Sequence, residues 1–192
     1  MTKTDMSEKG LEDLIVASFT GQDTAFGSQP DGILEKPDVP YGHSVYVQGD
    51  SAHYDKDHAV DLDKLLHFLR ATQPKVVEQL ALDVDGPRRR AFLARLQGQI
   101  TARGIIDVLR KGVEDGPVAV DLFYGTPSPG NPKAAQLFNA NVFSVTRQLH
   151  YSRDESGLAL DLCLFINGLP VVTFELKNRL TKQTVDDAVR QD

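Results

Sequence analysis

The stretch LDLCLFINGLPVVTFELKN, residues 160–178, decides the fold that we predict for this chain. Two runs of aliphatic, aromatic and β-branched residues, 160–166 and 171–177, are typical of β-strands. Between them stands Asn167-Gly168, the dipeptide that most strongly favours a tight turn between antiparallel strands. The sequence therefore predicts a β-hairpin.

Three charged residues sit at the open end of this hairpin. Asp161 is near the start of its first strand, and Glu175 and Lys177 are near the end of its second. Side chains two apart on a strand share a face, so Glu175 and Lys177 should project together. Carboxylates bind Mg²⁺, and a lysine beside a metal-bound water can stabilise charge in phosphodiester hydrolysis. Asp161 and Glu175 are thus predicted metal ligands, the carbonyl of Leu176 a further one, and Lys177 a catalytic residue.

The register of the hairpin tests this prediction. A two-residue turn would pair Ile166 with Leu169, and Asp161 would then oppose Phe174. The carboxylates of Asp161 and Glu175 would lie on opposite faces of the sheet and could not share a metal ion. The site requires an odd connection of three or five residues, or one bulge, and we predict this odd offset.

The remaining sequence predicts an α/β fold. Its mixed central sheet is expected to contain strands near 118, 142, 160 and 171. Helical periodicity and capping signals predict a first helix over 7–19, a helical insert over about 60–104 and a final helix from Thr184. A short helix should begin at Asn131-Pro132, whereas 21–57 should be mostly loop with a short strand at 44–48. The catalytic hairpin belongs to a region of about 142–178.

Composition narrows the function classes. The chain has 192 residues, 41% hydrophobic and 25% charged, which is typical of one globular domain. We expect no membrane span, no secretory signal and a cytoplasmic location. A formal net charge of −6 argues against a nucleic-acid coat protein. The single cysteine, Cys163, is expected to be buried rather than reactive.

A bare acid, hairpin and ExK pattern is also compatible with an ordinary exposed charge pair, but the flanking sequence adds information. Residues 139–178, together with FLRATQP at 68–74, RGIIDVLRKGV at 103–113 and the LEDLI helix from Leu11, resemble the nuclease region of the type I restriction subunit. That region belongs to the PD-(D/E)xK nuclease superfamily.

The resemblance implies roles for individual residues. Asp161 would be the first acid of the motif, although Leu160 precedes it where the family usually has proline. Glu175 and Lys177 would be the E and the K, and Gln191 would match a glutamine on the helix after the motif. The superfamily often places a glutamate of the first helix near the metal. Glu12 is therefore either a metal ligand or part of a solvated helix face, and Glu8 is the substitute if the helix is rotated.

Other polar residues have two interpretations each. Arg147 and Gln148 either touch the DNA backbone or form a pair at the sheet edge. The run Arg88, Arg89 and Arg90 either meets phosphates or forms a solvated face. The five histidines share no spacing that indicates a metal site.

The family resemblance implies that residues 1–192 form an N-terminal endonuclease domain that cleaves double-stranded DNA with Mg²⁺. Helicase-like motor domains that hydrolyse ATP would follow, and methylation and specificity subunits would be partners. This stretch has no phosphate-binding GxxxxGK[ST] loop, so it should bind no ATP itself. The alternatives are a repair or recombination nuclease of the same superfamily and a binding or assembly module with a decayed site.

Overall fold

The computed structural model describes residues 8–21, 46–154 and 157–176. Its α-helices are α1 (Glu8–Thr20), α2 (Leu62–Thr72), α3 (Pro74–Gln79), α4 (Pro87–Arg103), α5 (Ile105–Lys111) and α6 (Pro132–Asn139). Its strands are β1 (Val47–Gln48), β2 (Tyr54–Asp55), β3 (Val60–Asp61), β4 (Val113–Asp115), β5 (Val118–Val120), β6 (Phe143–His150), β7 (Ala159–Ile166) and β8 (Leu169–Phe174). A 3-10 turn covers Ser51–His53. The predicted helix from Thr184 lies outside the described residues.

The main sheet is mixed, as the sequence predicted. Its strand order is β1-β6-β7-β8. Strand β1 runs parallel to β6, whereas β6, β7 and β8 are antiparallel neighbours. The expectation that a strand near 118 joins this sheet was wrong. Strand β5 pairs with β4 in a separate two-stranded sheet, because Gly116 and Pro117 form a tight turn that closes a local hairpin.

Helix α1 packs on one face of the main sheet. Val16 contacts a cluster that contains Val145, Leu162 and Leu164 of the two central strands. Helical spacing in the sequence places Leu11, Leu14 and Ile15 on one apolar face, but Leu11 is exposed in the structure. Positions 12, 16 and 20 are buried, which is the spacing of one helix face. A charged residue, Glu12, is therefore carried on the face that meets the sheet.

Helices α2 to α5 form a lobe with its own apolar core. This core includes Phe68, Leu69, Phe92 and Leu96, and Leu169 of β8 packs into it. The carboxylate of Asp61 caps α2 by accepting a hydrogen bond of 3.1 Å from the backbone N–H of Lys64. Helix α2 ends at Thr72, before Pro74, as proline at that position requires.

The lobe also fixes the tip of the hairpin. The backbone N–H of Asp61 donates to the carbonyl of Gly168 at 2.8 Å. In the same turn, the buried side chain of Asn167 donates to the carbonyl of Leu122 at 2.9 Å. The tip of the β7–β8 hairpin is thus anchored, and its opposite end, which contains the predicted site, is oriented by that anchor. Among the helices that the structure describes, none is long and apolar enough to cross a membrane.

Candidate active site

The β7–β8 hairpin has a two-residue turn followed by a bulge. Ile166 pairs with Leu169, so the turn consists of Asn167 and Gly168 alone. The register then shifts between Leu164 and Phe165, whose partners are Val172 and Pro170. Val171 is the extra residue of the bulge. The odd offset that the site requires is present, and it is produced by a bulge rather than by a longer loop.

The shifted register brings the two predicted acids to neighbouring positions. Leu162 pairs with Phe174, so the next residue outward on each strand is Asp161 and Glu175 respectively. Leu162 and Phe174 both pack toward α1. Residues that stand opposite one another on neighbouring strands share a face, so this register places Asp161 and Glu175 side by side.

Asp161 is tied directly to the chain beyond Glu175. Its Oδ2 atom accepts a hydrogen bond of 2.6 Å from the backbone N–H of Leu176. The carboxyl group is half-buried, whereas Glu175 is exposed. This bond holds the aspartate against the Glu175-Leu176 peptide, so the oxygen donors named by the sequence analysis belong to one local structure.

The donor set suits a hard cation. Two carboxylates and a backbone carbonyl offer oxygen ligands of the kind that Mg²⁺ binds, with water and substrate oxygens completing its shell. Within residues 8–21, 46–154 and 157–176, no group of three or more His, Cys, Asp or Glu is arranged to hold a metal ion. Lys177 and Gln191, the other predicted site residues, lie outside the described residues.

Glu12 is not on a solvated helix face, so that alternative was wrong. Its side chain is 7% exposed. Arg147 donates to Glu12 Oε2 at 3.3 Å, and Gln148 donates to Glu12 Oε1 at 2.5 Å. Arg147 also pairs with Asp13 at 2.6 Å. Both oxygens of Glu12 thus have donors within the protein, and Arg147 and Gln148 are engaged by α1. Glu8 begins the same helix, and its side chain is outside the described residues.

Two surface cavities are lined by charged residues of the described part of the chain. A polar cavity of about 490 Å³ is lined by Arg147, Lys64 and His53 among others. Another, of about 540 Å³, lies beside α2 and α4. Neither is lined by Asp161 or Glu175.

The second cavity contains ion pairs rather than free cations. Arg89 and Arg90 both pair with Asp85, at 3.1 and 3.2 Å. Asp55 and His58 are joined at 2.7 Å. Burial acts to raise the pKa of Asp55, but hydrogen bonds from the side chain and backbone of His58 outweigh it and hold that pKa below its usual value. The arginine run at the start of α4 is thus partly neutralised by neighbouring acids.

The comparisons with known proteins give one match. The family model described as type I restriction enzyme R protein N terminus matches residues 68–191, which is more than half of the chain. The matched range contains α3 to α6 and the whole β7–β8 hairpin. Searches of curated proteins and of solved structures found no match.

Proposed function

Since this chain belongs to the family of type I restriction enzyme R protein N termini, we propose that it is the Mg²⁺-dependent endonuclease domain of such an enzyme. Its substrate would be double-stranded DNA, and its reaction the hydrolysis of phosphodiester bonds. Asp161, Glu175 and Lys177 would be the active-site residues, with Gln191 beside them.

One observation carries this proposal. The bulge at Val171 changes the offset of β8 against β7 by one residue. With an unbulged turn the acids would face opposite sides of the sheet, and with the bulge Asp161 and Glu175 share a side. An ordinary surface charge pair between Glu175 and Lys177 needs no such irregularity. Bulges of this kind are over-represented next to active sites, where they redirect a side chain.

In this proposal, Asp161, Glu175 and the carbonyl of Leu176 would hold the cation. When bound, Mg²⁺ would polarise the phosphate and lower the pKa of a water molecule. The hydrogen bond from the Leu176 N–H fixes one oxygen of Asp161, and its other oxygen would act as the ligand. The exposed carboxylate of Glu175 would lie on the DNA side, and the ammonium group of Lys177 would orient the attacking water.

The proposal also includes the wider complex. With a formal net charge of −6, the chain has little general attraction for phosphates. ATP-driven motor domains of the same protein would bring DNA to the site, and methylation and specificity subunits would define where the complex binds. This part of the proposal rests on the family membership and concerns the full-length enzyme.

The test uses alanine substitutions in the full-length enzyme. Asp161→Ala, Glu175→Ala and Lys177→Ala should each reduce DNA cleavage to background while ATP hydrolysis and translocation continue, because chemistry and motor lie on separate domains. Glu114→Ala is the matched control, since Glu114 is also an exposed glutamate on a strand but belongs to the β4–β5 hairpin. Wild-type cleavage by any of the three variants would contradict the assignment.

A second measurement separates this proposal from a free-standing repair or recombination nuclease. Purified chain, given Mg²⁺ and supercoiled or linear DNA at moderate salt, should show at most slow nicking that disappears in Glu175→Ala. Efficient sequence-specific cleavage by the chain alone would favour the free-standing nuclease. Unchanged residual nicking in Glu175→Ala would show that the nicking comes from a contaminant.

A further inference from the structure

Glu12 links α1 to two consecutive residues of β6. Arg147 reaches Glu12 Oε2 through its Nε and Nη2 atoms at 3.4 and 3.3 Å, and Gln148 reaches Oε1 at 2.5 Å. Asp13 takes the remaining side of the Arg147 guanidinium at 2.6 Å. The glutamate is buried against the sheet, whereas Arg147 is half-buried and Gln148 and Asp13 are exposed.

Consecutive residues of a regular strand cannot both reach the same helix. Their side chains point to opposite faces, so Arg147 toward α1 would put Gln148 on the far side. Here the backbone of Gln148 has a φ of +45°, in the left-handed region. That irregularity turns Gln148 to the side of Arg147. Leu149, the next residue, then packs on the opposite face with Cys163 and Phe165.

This irregular residue is the cross-strand neighbour of Asp161. Arg147 pairs with Leu162 and Leu149 pairs with Leu160, so Gln148 stands opposite Asp161 in the ladder. A left-handed conformation is unfavourable for a residue that has a side chain, and it persists only where the surroundings impose it. The hydrogen bond to buried Glu12 is the contact that fixes the Gln148 side chain.

We propose that Glu12, with Arg147 and Gln148, is a positioning group that keeps β6 bent beside Asp161, and that Glu12 is not a metal ligand. The proposal rests on the nuclease function proposed above. Both oxygens of Glu12 already accept hydrogen bonds from the protein, one from Arg147 and the other from Gln148. Without the contacts among Glu12, Arg147 and Gln148, residue 148 relaxes toward an extended conformation. This change displaces the segment of β7 that carries Asp161.

Two substitutions at one position test the bend. Gln148→Ala and Gln148→Gly both remove the amide, but only glycine adopts positive φ without a steric cost. In the full-length enzyme, Gln148→Ala should lower the cleavage rate about 10- to 100-fold, the cost of misplacing a reacting group by about 1 Å. Gln148→Gly should remain within about 3-fold of wild type, because it keeps the bend. Equal losses would show that cleavage does not depend on the left-handed backbone conformation of residue 148, and no loss in either would show that the bend is irrelevant; both outcomes overturn the proposal.

Hydrogen exchange supplies a readout that does not depend on cleavage. The Leu176 N–H is protected by its bond to Asp161 Oδ2, so displacement of Asp161 should expose it. Gln148→Ala should accelerate exchange in a peptide covering 174–176 about 5- to 10-fold, the equivalent of losing one hydrogen bond. A peptide covering 65–69 of α2 should not change. Acceleration in both peptides would indicate general destabilisation, and in neither would indicate that Asp161 has not moved; both results contradict the proposal.

The role of Glu12 is tested by matched carboxylate-to-amide changes. Glu12→Gln keeps an oxygen that accepts from Gln148, so cleavage should fall no more than about 5-fold. Asp161→Asn, an equally conservative change in a metal ligand, should reduce cleavage to background. If Glu12→Gln is as inactive as Asp161→Asn, Glu12 is a ligand and the positioning proposal fails. If Asp161→Asn cleaves normally, it is the nuclease assignment that fails.

Discussion

Gly168 is the residue where the hairpin of the candidate site meets the helical lobe most closely. It is the second residue of the two-residue turn, with a φ of +81°. A Cβ atom added there would overlap the Asp61 carbonyl oxygen and would lie 2.6 Å from the Leu65 backbone nitrogen and 2.9 Å from the Leu65 Cβ. The first two are backbone atoms, which cannot rotate away. Gly168→Ala must therefore move the turn away from α2.

The cost has two parts. The left-handed backbone costs a residue with a side chain about 1–2 kcal/mol, and overpacking against fixed atoms adds about 1–3 kcal/mol. We expect Gly168→Ala to lower the free energy of unfolding by about 2–5 kcal/mol, a large fraction of the roughly 5–15 kcal/mol of a typical domain. Gly130→Ala is the control, since Gly130 also has a φ of +81° but an added Cβ there would meet nothing within 4 Å.

Urea unfolding followed by far-UV circular dichroism measures both variants. Gly130→Ala should cost only the backbone part, about 1–2 kcal/mol, so the difference between the variants isolates the close approach of turn and helix. The slope of the free energy against urea should be unchanged if both act on the folded state. Equal losses in the two variants would refute the packing of the turn on α2.

Two further predictions concern buried ionisable groups. Burial raises the pKa of the Cys163 thiol to about 12, so the folded protein should resist thiol reagents at pH 8 and react only after unfolding in urea; rapid labelling of folded protein would contradict its complete burial. Burial also raises the pKa of Asp61, so the folded state binds that proton more tightly than the unfolded state and loses stability as pH rises above the unfolded value of about 3.9. Asp61→Asn keeps the cap of α2, so its free energy of unfolding in urea, relative to wild type, should be higher at pH 7 than at pH 4. Asp61→Ala should lose about 1 kcal/mol at both pH values, because it removes the cap. A relative stability of the Asn variant that is lower at pH 7 would contradict the raised pKa.

The hairpin was predictable because its signals are local. Asn167 and Gly168 both have positive φ, at +52° and +81°, as the tight turn requires and as these two residue types tolerate. The bulge was predictable only through the chemistry it serves. Val171 stands in a run of β-branched residues that fits a regular strand equally well, so only the need to align Asp161 with Glu175 indicated a shift.

The error over the strand near 118 has a different cause. Val118–Val120 is a good strand sequence, but its three residues contain no information about its partner. The signal that was missed is Gly116-Pro117, directly after Val113–Asp115. A glycine with φ of +59° at this point closes a short hairpin with the neighbouring run, and the pairing is satisfied locally.

The burial of Glu12 could not be predicted from periodicity. A charged residue on a helix is expected in water unless a partner compensates it, and that partner, Arg147, is 135 residues away in the sequence. Gln148 has no local signal either, because glutamine is not a residue that favours positive φ. Its conformation is imposed by tertiary contact, which no window of sequence contains.

The irregularities of the sheet are distributed around β7 rather than within it. Strand β7 pairs with β6 from Ala159 to Ile166, apart from Asp161 opposite Gln148, and with β8 from Leu162 to Ile166, with the register shift at Val171. Both exceptions belong to the neighbouring strands, one on each side. The bend of β6 on one side and the extra residue of β8 on the other set what stands beside Asp161. Departures from regular strand geometry are concentrated at functional sites. Here the positive φ of Gln148 and the bulge at Val171 lie on either side of Asp161, which is the pattern expected if Asp161 is a functional residue.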